Sequence, residues 1–295
     1  MINRRRFLYS TGVFAGAGIA SPVPDSLLRA AEVGGKVSKA KIRFGLVTYM
    51  WGFDWKLPEL LANCEKAGAD GVELRTGHAH GVEPELSAAG RREVKQQFAD
   101  SPISLVGLGS NEDFHDVDAG SLTESIERGK SYIRLSHDVG GTGVKVKPND
   151  LPPEVAQQKT VEQIGKALNQ LGSYAADFGQ QLRLEVHGQC SLPTTIASIM
   201  QVADHPNVTV CWNSNPQDLI GGGLKHNFNL LKHRLGATVH ARQLDGDEYP
   251  YAELIALLMK HQYKGWLLIE AGDMPADRVA ALARERKAFE KLMSS

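Results

Sequence analysis

The chain has 295 residues, of which 42% are hydrophobic and 23% are charged, and its formal net charge at pH 7 is −1. A chain of this length can bury a large core, in one barrel or in two smaller domains. The balanced charge gives no electrostatic reason to expect binding to nucleic acid or to a membrane surface. Its three cysteines are widely spaced, which excludes a small disulfide-stapled scaffold and argues against a thiolate metal site.

The first residues are predicted to be a targeting signal. Arg4 and Arg5 precede a modestly apolar segment, residues 10–20, that is too short and too rich in glycine to anchor the chain in a bilayer. The pattern resembles a twin-arginine export signal, although Tyr9 stands where that pattern often has lysine. We expect residues 1–39 to be signal peptide and linker, and the mature protein to be periplasmic without a stable membrane anchor. A basic tail without a targeting role is the alternative.

From residue 40 onward the sequence repeats a strand followed by a helix. The centres of the predicted strands lie about 25–40 residues apart, the length of a strand with its crossover helix. The predicted strands are Ile42–Tyr49, Gly71–Arg75, Ile103–Leu108, Gly143–Lys147, Leu182–His187, Val208–Trp212, Ala237–Ala241 and Trp266–Glu270. The predicted helices are Leu57–Ala67, Ala88–Asp100, Ser121–Asp138, Thr160–Phe178, Thr194–Ala203, Gly223–Lys232, Tyr251–His261 and Ala276–Met293.

This alternation predicts the α/β class with a parallel sheet. Eight units in about 250 residues fit a single-domain (β/α)8 TIM barrel over residues 40–295. An open doubly wound sheet is the alternative, but no Gly-x-Gly-x-x-Gly follows the first predicted strand. The barrel is therefore the favoured fold.

The predicted fifth strand carries polar, mostly charged, side chains along one whole face. In the segment Leu182–Gly188, apolar residues alternate with Arg183, Glu185 and His187. A strand that is buried on both faces should carry branched apolar residues throughout. Because an unpaired buried charge costs roughly 3–5 kcal/mol, a salt bridge, a metal ion or a polar substrate must compensate these residues.

Polar side chains converge in the same way at the ends of other predicted strands. Reactive groups of such barrels lie at the C-terminal ends of the strands, and alternate residues point inward. Six of the eight predicted strands contribute, which is more than chance pairing explains. The inward polar residues are Glu73, Arg75, Lys145, Lys147, Arg183, Glu185, His187, Cys211, Asn213, His240, Arg242 and Glu270.

Four of these residues form a candidate metal-binding set. Glu185, Asn213, His240 and Glu270 offer carboxylate, amide and imidazole ligands on successive predicted strands. Such ligands suit one divalent ion, Mn²⁺ or Mg²⁺ first, with Co²⁺ or Zn²⁺ as alternatives. A metal or a cationic donor would also stabilise the enediolate that forms when a proton leaves carbon next to a carbonyl. Glu185 and Glu270 come from well-separated strands and could flank that carbon to remove and return the proton.

These residues carry a resemblance to a known family. Residues 42–292 resemble the sugar phosphate isomerase/epimerase superfamily of xylose isomerase-like barrels, which binds one divalent metal through Glu, Asp, His and Glu on strands five to eight. The resemblance implies that Glu185, position 213, His240 and Glu270 hold the divalent metal. In the family's ketose 3-epimerases the two glutamates are also the acid/base pair. Asn213 departs from this pattern, which has aspartate.

Three short segments narrow the resemblance further. They are similar to segments of exported members of the family in planctomycete-type genomes. The three segments are Tyr-Met-Trp-Gly, Glu-Leu-Arg-Thr-Gly-His-Ala-His-Gly-Val-Glu and Cys-Trp-Asn-Ser-Asn.

The substrate is expected to be a small carbohydrate that is anionic or rich in hydroxyls. Five inward cations face three inward glutamates, and such a cleft attracts anions. Lys147 and Arg242, nearest the rim, are the expected contacts with the anion. The complete set of candidate substrate-binding residues is Tyr49, Trp51, Arg75, His78, His80, Lys147, His187 and Arg242.

The leading function is therefore a metal-assisted isomerase or epimerase of a sugar or sugar derivative. One alternative is a lyase or hydratase that abstracts the same proton from an oxidised, keto-containing glycoside. Another is a non-catalytic sugar-binding barrel, which Asn213 makes thinkable. DNA repair of the endonuclease IV kind is disfavoured, because it needs several metals and a basic groove. Substrate identity and homo-oligomer formation stay open.

Overall fold

A computed structural model describes residues 42–294, so the predicted signal segment lies outside the described residues. Eight strands alternate with eight α-helices in this part of the chain. The strands are β1 (Arg43–Val47), β2 (Gly71–Arg75), β3 (Ser104–Gly109), β4 (Gly143–Val146), β5 (Gln181–Glu185), β6 (Val208–Asn213), β7 (Leu235–Ala241) and β8 (Trp266–Ile269). The α-helices are α1 (Leu57–Ala67), α2 (Ala88–Ala99), α3 (Ala119–Val139), α4 (Gln157–Asp177), α5 (Pro193–Val202), α6 (Gly223–Leu231), α7 (Tyr251–Lys260) and α8 (Arg278–Met293).

The strands close into a barrel in sequence order. Every neighbouring pair is parallel, and β1 pairs with both β2 and β8. The predicted (β/α)8 barrel is therefore confirmed. None of the helices in residues 42–294 is long and apolar enough to cross a membrane.

The main core lies between the barrel and its ring of helices. Helix α4 shows why these helices form and dock, because its apolar residues recur at helical spacing and are buried. Val161, Ile164, Leu168 and Leu171 are at most 2% exposed on this stripe. Burying each such side chain contributes about 1.5–3 kcal/mol relative to leaving it in water.

The N-terminal part of the barrel interior is filled by Arg183 on β5. Its guanidinium donates to Thr142 Oγ1 at 2.6 Å and to the carbonyl of Val106 at 3.3 Å. A Cβ on Gly107 would lie 2.8 Å from Nη1, and one on Gly143 would lie 3.0 Å from Cζ. Glycine at these two positions therefore makes room for a buried arginine, and Arg183 stays below the site described next.

The starts of two helices differ from the predicted ones because a capping side chain sets them. Helix α8 begins at Arg278 rather than at Ala276, because the Asp277 carboxylate accepts from the backbone N–H of Ala280. Helix α3 begins at Ala119, two residues before the predicted start, because Asp118 caps it in the same way. These differences lie on the helices and do not alter the strand ends.

Candidate active site

A cavity of about 310 Å³ opens at the C-terminal ends of the strands. This is the end of a (β/α)8 barrel where reactive groups gather. The predicted site residues in its lining are Tyr49, Arg75, Lys147, Glu185, His187, Asn213, Arg242 and Glu270. Lys145, Asn215 and Gly272 complete the lining.

Strand ends and one irregular register bring the predicted metal ligands together. Glu185 is the last residue of β5, Asn213 is the last of β6, and Glu270 directly follows β8. Strands β6 and β7 pair Val210 with Leu235 but Asn213 with His240, so their register shifts between the two pairs. This shift sets the imidazole of His240 level with Asn213, as β-bulges near active sites often do.

The acidic and basic groups at the bottom of the cavity form what we call the floor: Glu185, Glu270 and Lys145, together with His240, which contacts both glutamates but is buried and does not line the cavity. His240 Nδ1 lies 3.4 Å from Glu185 Oε1 and 3.4 Å from Glu270 Oε2. One ligand atom from each of these three residues lies within 4.8 Å of the other two. The side chains of His240 and Glu185 are 0% and 1% exposed, whereas that of Glu270 is 15% exposed. Glu270 is therefore the carboxylate that a ligand reaches most easily.

The residues present fit a divalent metal ion. His240 Nδ1 has no hydrogen-bond partner although it is fully buried, and it faces two carboxylate oxygens. Its Nε2 lies 3.2 Å from Glu73 Oε1 on the other side of the ring. With Nε2–H kept toward Glu73, an assignment made from these neighbours, loss of the Nδ1 proton on metal binding would leave the Nδ1 lone pair directed between the two glutamates. A carboxylate that orients a ligating histidine in this way is common in metal sites.

The sequence predicts that Glu73 lies inside the barrel but indicates no role for it. Its position two residues before the end of β2, among inward charges, was the available signal. What the sequence did not indicate is that Glu73 would meet His240 from across the barrel.

Lys145 on β4 is, like Glu73, a residue whose inward position the sequence predicts without indicating a role. Its Nζ lies 2.8 Å from Glu185 Oε2, and both side chains are 1% exposed. Asn213 Nδ2 donates to Glu185 Oε1 at 3.1 Å. Glu185 thus has a cation on one oxygen and an amide on the other.

These contacts decide the charge states of the floor. Burial favours a neutral Glu185, but the attraction of Lys145 and contact with His240 hold its pKa well below its usual range. Burial also opposes a charged Lys145, yet Glu185, Glu270 and Glu73 raise its pKa. Burial would lower the pKa of His240, but Cys211, Glu73 and Glu270 together raise it well above its usual value. The floor therefore holds ionised groups of both signs in contact with one another.

A second group of residues forms one side of the cavity, and we call it the cationic wall: Arg75, Lys147 and Asn111. Lys147 Nζ donates to Asn111 Oδ1 at 3.0 Å, and Arg75 Nη2 donates to the same oxygen at 3.2 Å. The guanidinium carbon of Arg75 lies 4.6 Å from the centre of the Tyr49 ring. Burial, Lys145 and Arg75 lower the pKa of Lys147 to about 8.

The other predicted substrate contacts are distributed unequally. His187 lines the cavity, and its Nδ1 lies 2.9 Å from Asn149 Oδ1. Arg242 also lines it, with an exposed side chain at the rim. Both placements agree with the inward orientation predicted from strand alternation.

Trp51, His78 and His80 do not line the cavity. The Trp51 indole is buried and donates to the backbone carbonyl of Asp273 at 3.1 Å. His78 Nδ1 lies 3.1 Å from Thr48 Oγ1. His80 is buried, and its two ring nitrogens bond to the backbone of its own loop. The structure therefore gives these three side chains packing and loop-ordering contacts, and a role in substrate binding stays a prediction for them.

The family model described as xylose isomerase-like TIM barrel matches residues 61–292. No protein of curated function matches the sequence. Among solved structures, L-ribulose 3-epimerase superposes with a TM-score of 0.74 at 16% identity, covering 86% of this chain and 95% of that chain.

Two further structures are similar. The apo form of 3-keto-D-glucoside 4-epimerase from E. coli has a TM-score of 0.69 at 16% identity and covers 86% of this chain and all of its own, 100%. The IolI protein with a bound zinc atom has a TM-score of 0.71 at 16% identity and covers 86% of this chain and 98% of that chain. At such identities the likeness concerns the fold.

Proposed function

Since the chain belongs to the xylose isomerase-like TIM barrel family, we propose that it is an isomerase or epimerase of a sugar or sugar derivative. The reaction would move a proton at carbon next to a carbonyl. The observation that carries the proposal is that Glu185 and Glu270 face one nitrogen of His240, each at 3.4 Å, and line the same cavity. They are the two carboxylates in the described lining of that cavity, which is what two-sided proton transfer requires.

The two glutamates have unequal roles in this proposal. Glu270 exposes part of its side chain to the cavity, and its carboxylate is the acceptor that takes the proton from carbon. Glu185 is held ionised by Lys145 and is the weaker base. In an epimerase the proton for the other face comes from the Lys145 ammonium and passes through the Glu185 carboxylate, 2.8 Å away, and exchange with water then resets Lys145 and Glu270. In an isomerase Glu270 returns its proton to the neighbouring carbon, and a hydroxyl proton moves between the two substrate oxygens. The Lys145 ammonium lies where it can stabilise negative charge that develops on the substrate oxygen.

A divalent metal ion completes the proposal. Glu185, His240 and Glu270 would hold it. Asn213 would be the fourth ligand once its amide turns so that Oδ1 faces the ion in place of the Nδ2 that now donates to Glu185. We infer Mn²⁺ first, with Mg²⁺, Co²⁺ or Zn²⁺ as alternatives. When bound, the ion would polarise the substrate carbonyl and lower the barrier to loss of the proton.

The test is hydrogen exchange in deuterated water. The purified protein is incubated with Mn²⁺ and a panel of aldoses, ketoses, sugar acids and keto-glycosides, and deuterium at carbon is followed by NMR. We expect exchange beside a carbonyl without loss of a group. Glu270→Gln and Glu185→Gln should each reduce its rate at least 100-fold, on the scale of lost acid/base catalysis. Glu253→Gln, an exposed glutamate on α7, is the matched control and should exchange at the wild-type rate.

Two results would contradict the proposal. Release of an aglycone or water would assign the chain to the lyase class. A ligand that binds but never exchanges would favour a sugar-binding barrel instead.

We also propose that the chain is exported by the twin-arginine route. Arg4 and Arg5 before the weakly apolar segment support this proposal. Replacing both with lysine should retain the protein in the cytoplasm, which fractionation measures. An unchanged distribution would overturn the assignment.

A further inference from the structure

The cationic wall differs from Lys145 on the floor because, among the described residues, no carboxylate contacts its cations. Within residues 42–294, neither Arg75 nor Lys147 has a carboxylate oxygen within 4.0 Å, and both donate instead to Asn111 Oδ1. Lys147 is only 8% exposed. A buried ammonium without a counter-charge is costly, and proteins normally pair it. An anion from outside the chain is the missing partner.

The geometry of Arg75 makes it ready for such a partner. The Tyr49 ring stacks on its guanidinium, and Nη2 bonds to Asn111, so its plane is fixed. Its Nε and Nη1 have no hydrogen-bond acceptor among the described residues. Nη2 uses only one of its two N–H groups on Asn111, so one adjacent pair of N–H groups, on Nη2 and either Nε or Nη1, remains for bidentate binding of a carboxylate or a phosphate group.

The burial of Lys147 also indicates that an anion binds beside it. The pKa of Lys147 is lowered to about 8 by desolvation and by the nearby charges of Lys145 and Arg75. An anion beside Lys147 would offset each of these effects.

We propose that the cationic wall is a subsite for an anionic group, a carboxylate or a phosphate, carried by the sugar substrate. The proposal rests on the proposed function for the other end of the substrate, which lies over Glu185 and Glu270 in the same cavity. At about 310 Å³ the cavity is at the small end of ligand sites, which suits one monosaccharide. The anion contacts are Arg75 and Lys147, whereas charge counting on the sequence had favoured Lys147 with the rim residue Arg242.

Asn111 provides the sharpest test because it is exposed and can be changed almost isosterically. Asn111→Asp places a carboxylate on the atom that both cations already contact. It should neutralise the subsite while leaving the fold intact, which circular dichroism checks.

Binding is measured by calorimetry on protein stripped of metal and desalted, with inorganic phosphate, D-glucuronate, D-glucose 6-phosphate and D-glucose as probes. We expect wild type to bind the charged sugars at least 10-fold more tightly than glucose and to bind phosphate in the millimolar range or below. Asn111→Asp, Arg75→Gln and Lys147→Gln should each weaken binding of the charged probes at least 10-fold. Arg92→Gln, an exposed cation on α2 that is distant in sequence from the wall, is the control for net charge.

The arms of the experiment separate the outcomes. Preference for glucuronate identifies a carboxylate as the anion, and preference for the sugar phosphate identifies a phosphate. Equal affinity for neutral and charged sugars, no phosphate binding at 10 mM, or unchanged affinity in Asn111→Asp would each overturn the subsite. If the protein binds anions but catalyses no deuterium exchange, the subsite is supported and the proposed function is wrong. If it catalyses exchange with neutral sugars alone, the proposed function is supported and the subsite is wrong.

Discussion

The floor and the cationic wall belong to one cavity, but the charged groups of the floor have partners of opposite charge and those of the wall do not. On the floor, Lys145 contacts Glu185 at 2.8 Å, and the carboxylates of both glutamates lie 3.4 Å from His240. On the wall, two cations share a neutral amide oxygen. The charges of the floor therefore compensate one another within the chain, whereas the cations of the wall would be compensated by a bound anion. Removing a charge should cost stability in the first region and not in the second.

The largest effect is expected from Lys145→Met. This change leaves Glu185 buried at 1% exposure without its cation, and breaking a buried pair costs roughly 3–5 kcal/mol. Lys147→Met should leave the free energy of unfolding undiminished or raise it, because it removes a buried charge that has no anionic partner. Urea unfolding of metal-free protein at pH 7 measures both.

The pair of variants is its own control, since the two lysines lie two residues apart on the same side of β4 and its extension. Equal losses in both would show that the contrast between floor and wall is wrong. Added Mn²⁺ should restore part of the stability of Lys145→Met, because an ion that binds only the folded state stabilises it.

The contrast also shows how far the sequence alone could predict this molecule. Alternation along each strand placed Glu185, His240 and Glu270 inside the barrel, and their order along the chain placed them at one end. Both inferences need only the period of a strand and the rules of parallel barrels. They needed no knowledge of which strands touch.

The partners within the site could not be predicted in that way. Lys145 meets Glu185 because β4 and β5 are neighbours, but the contact depends on which rotamers a long side chain adopts in the packed interior. Glu73 meets His240 across the barrel, which depends on the register shifts of β2 and β6. Asn111 lies in the loop after β3, where no periodic pattern applies.

A second, smaller effect is expected from Asn213→Asp. Asn213 now donates to Glu185, so an added carboxylate at this position would face like charge on a floor without metal. With a metal, the ligand set would carry a formal charge of −3 instead of −2, and we expect Mn²⁺ to bind ~10-fold more tightly, on the scale of changes around metal ligands. Calorimetric titration with Mn²⁺ measures the affinity, and turnover is measured on the same samples.

The sign of the stability change makes this test specific. Asn213→Asp should lower the melting temperature of metal-free protein and raise it when Mn²⁺ is saturating. If neither wild type nor variant binds a divalent ion at millimolar concentration, the metal part of the proposal is wrong.

The smallest effect is the pH dependence that Lys147 gives to stability. Its pKa is about 8 in the folded chain, compared with 10.5 for an unperturbed lysine. Between these values the unfolded chain holds a proton at this residue that the folded chain has lost, so stability rises with pH. Below about pH 8 both states are protonated, and the cost of burying the charge is fully present. Wild type should therefore gain stability relative to Lys147→Met as the pH rises from 8 to 10.5.

Urea unfolding at a series of pH values measures this difference, with Lys66→Met, an exposed lysine on α1, as the matched control. The control should run parallel to wild type, because it leaves Lys147 and the rest of the wall unchanged. Saturating D-glucuronate or sugar phosphate should shift the rise to higher pH, since an anion on the wall keeps Lys147 charged. A rise that is absent in wild type would mean that Lys147 already has its counter-charge within the protein. A rise that no anion moves would mean that the wall does not bind anions.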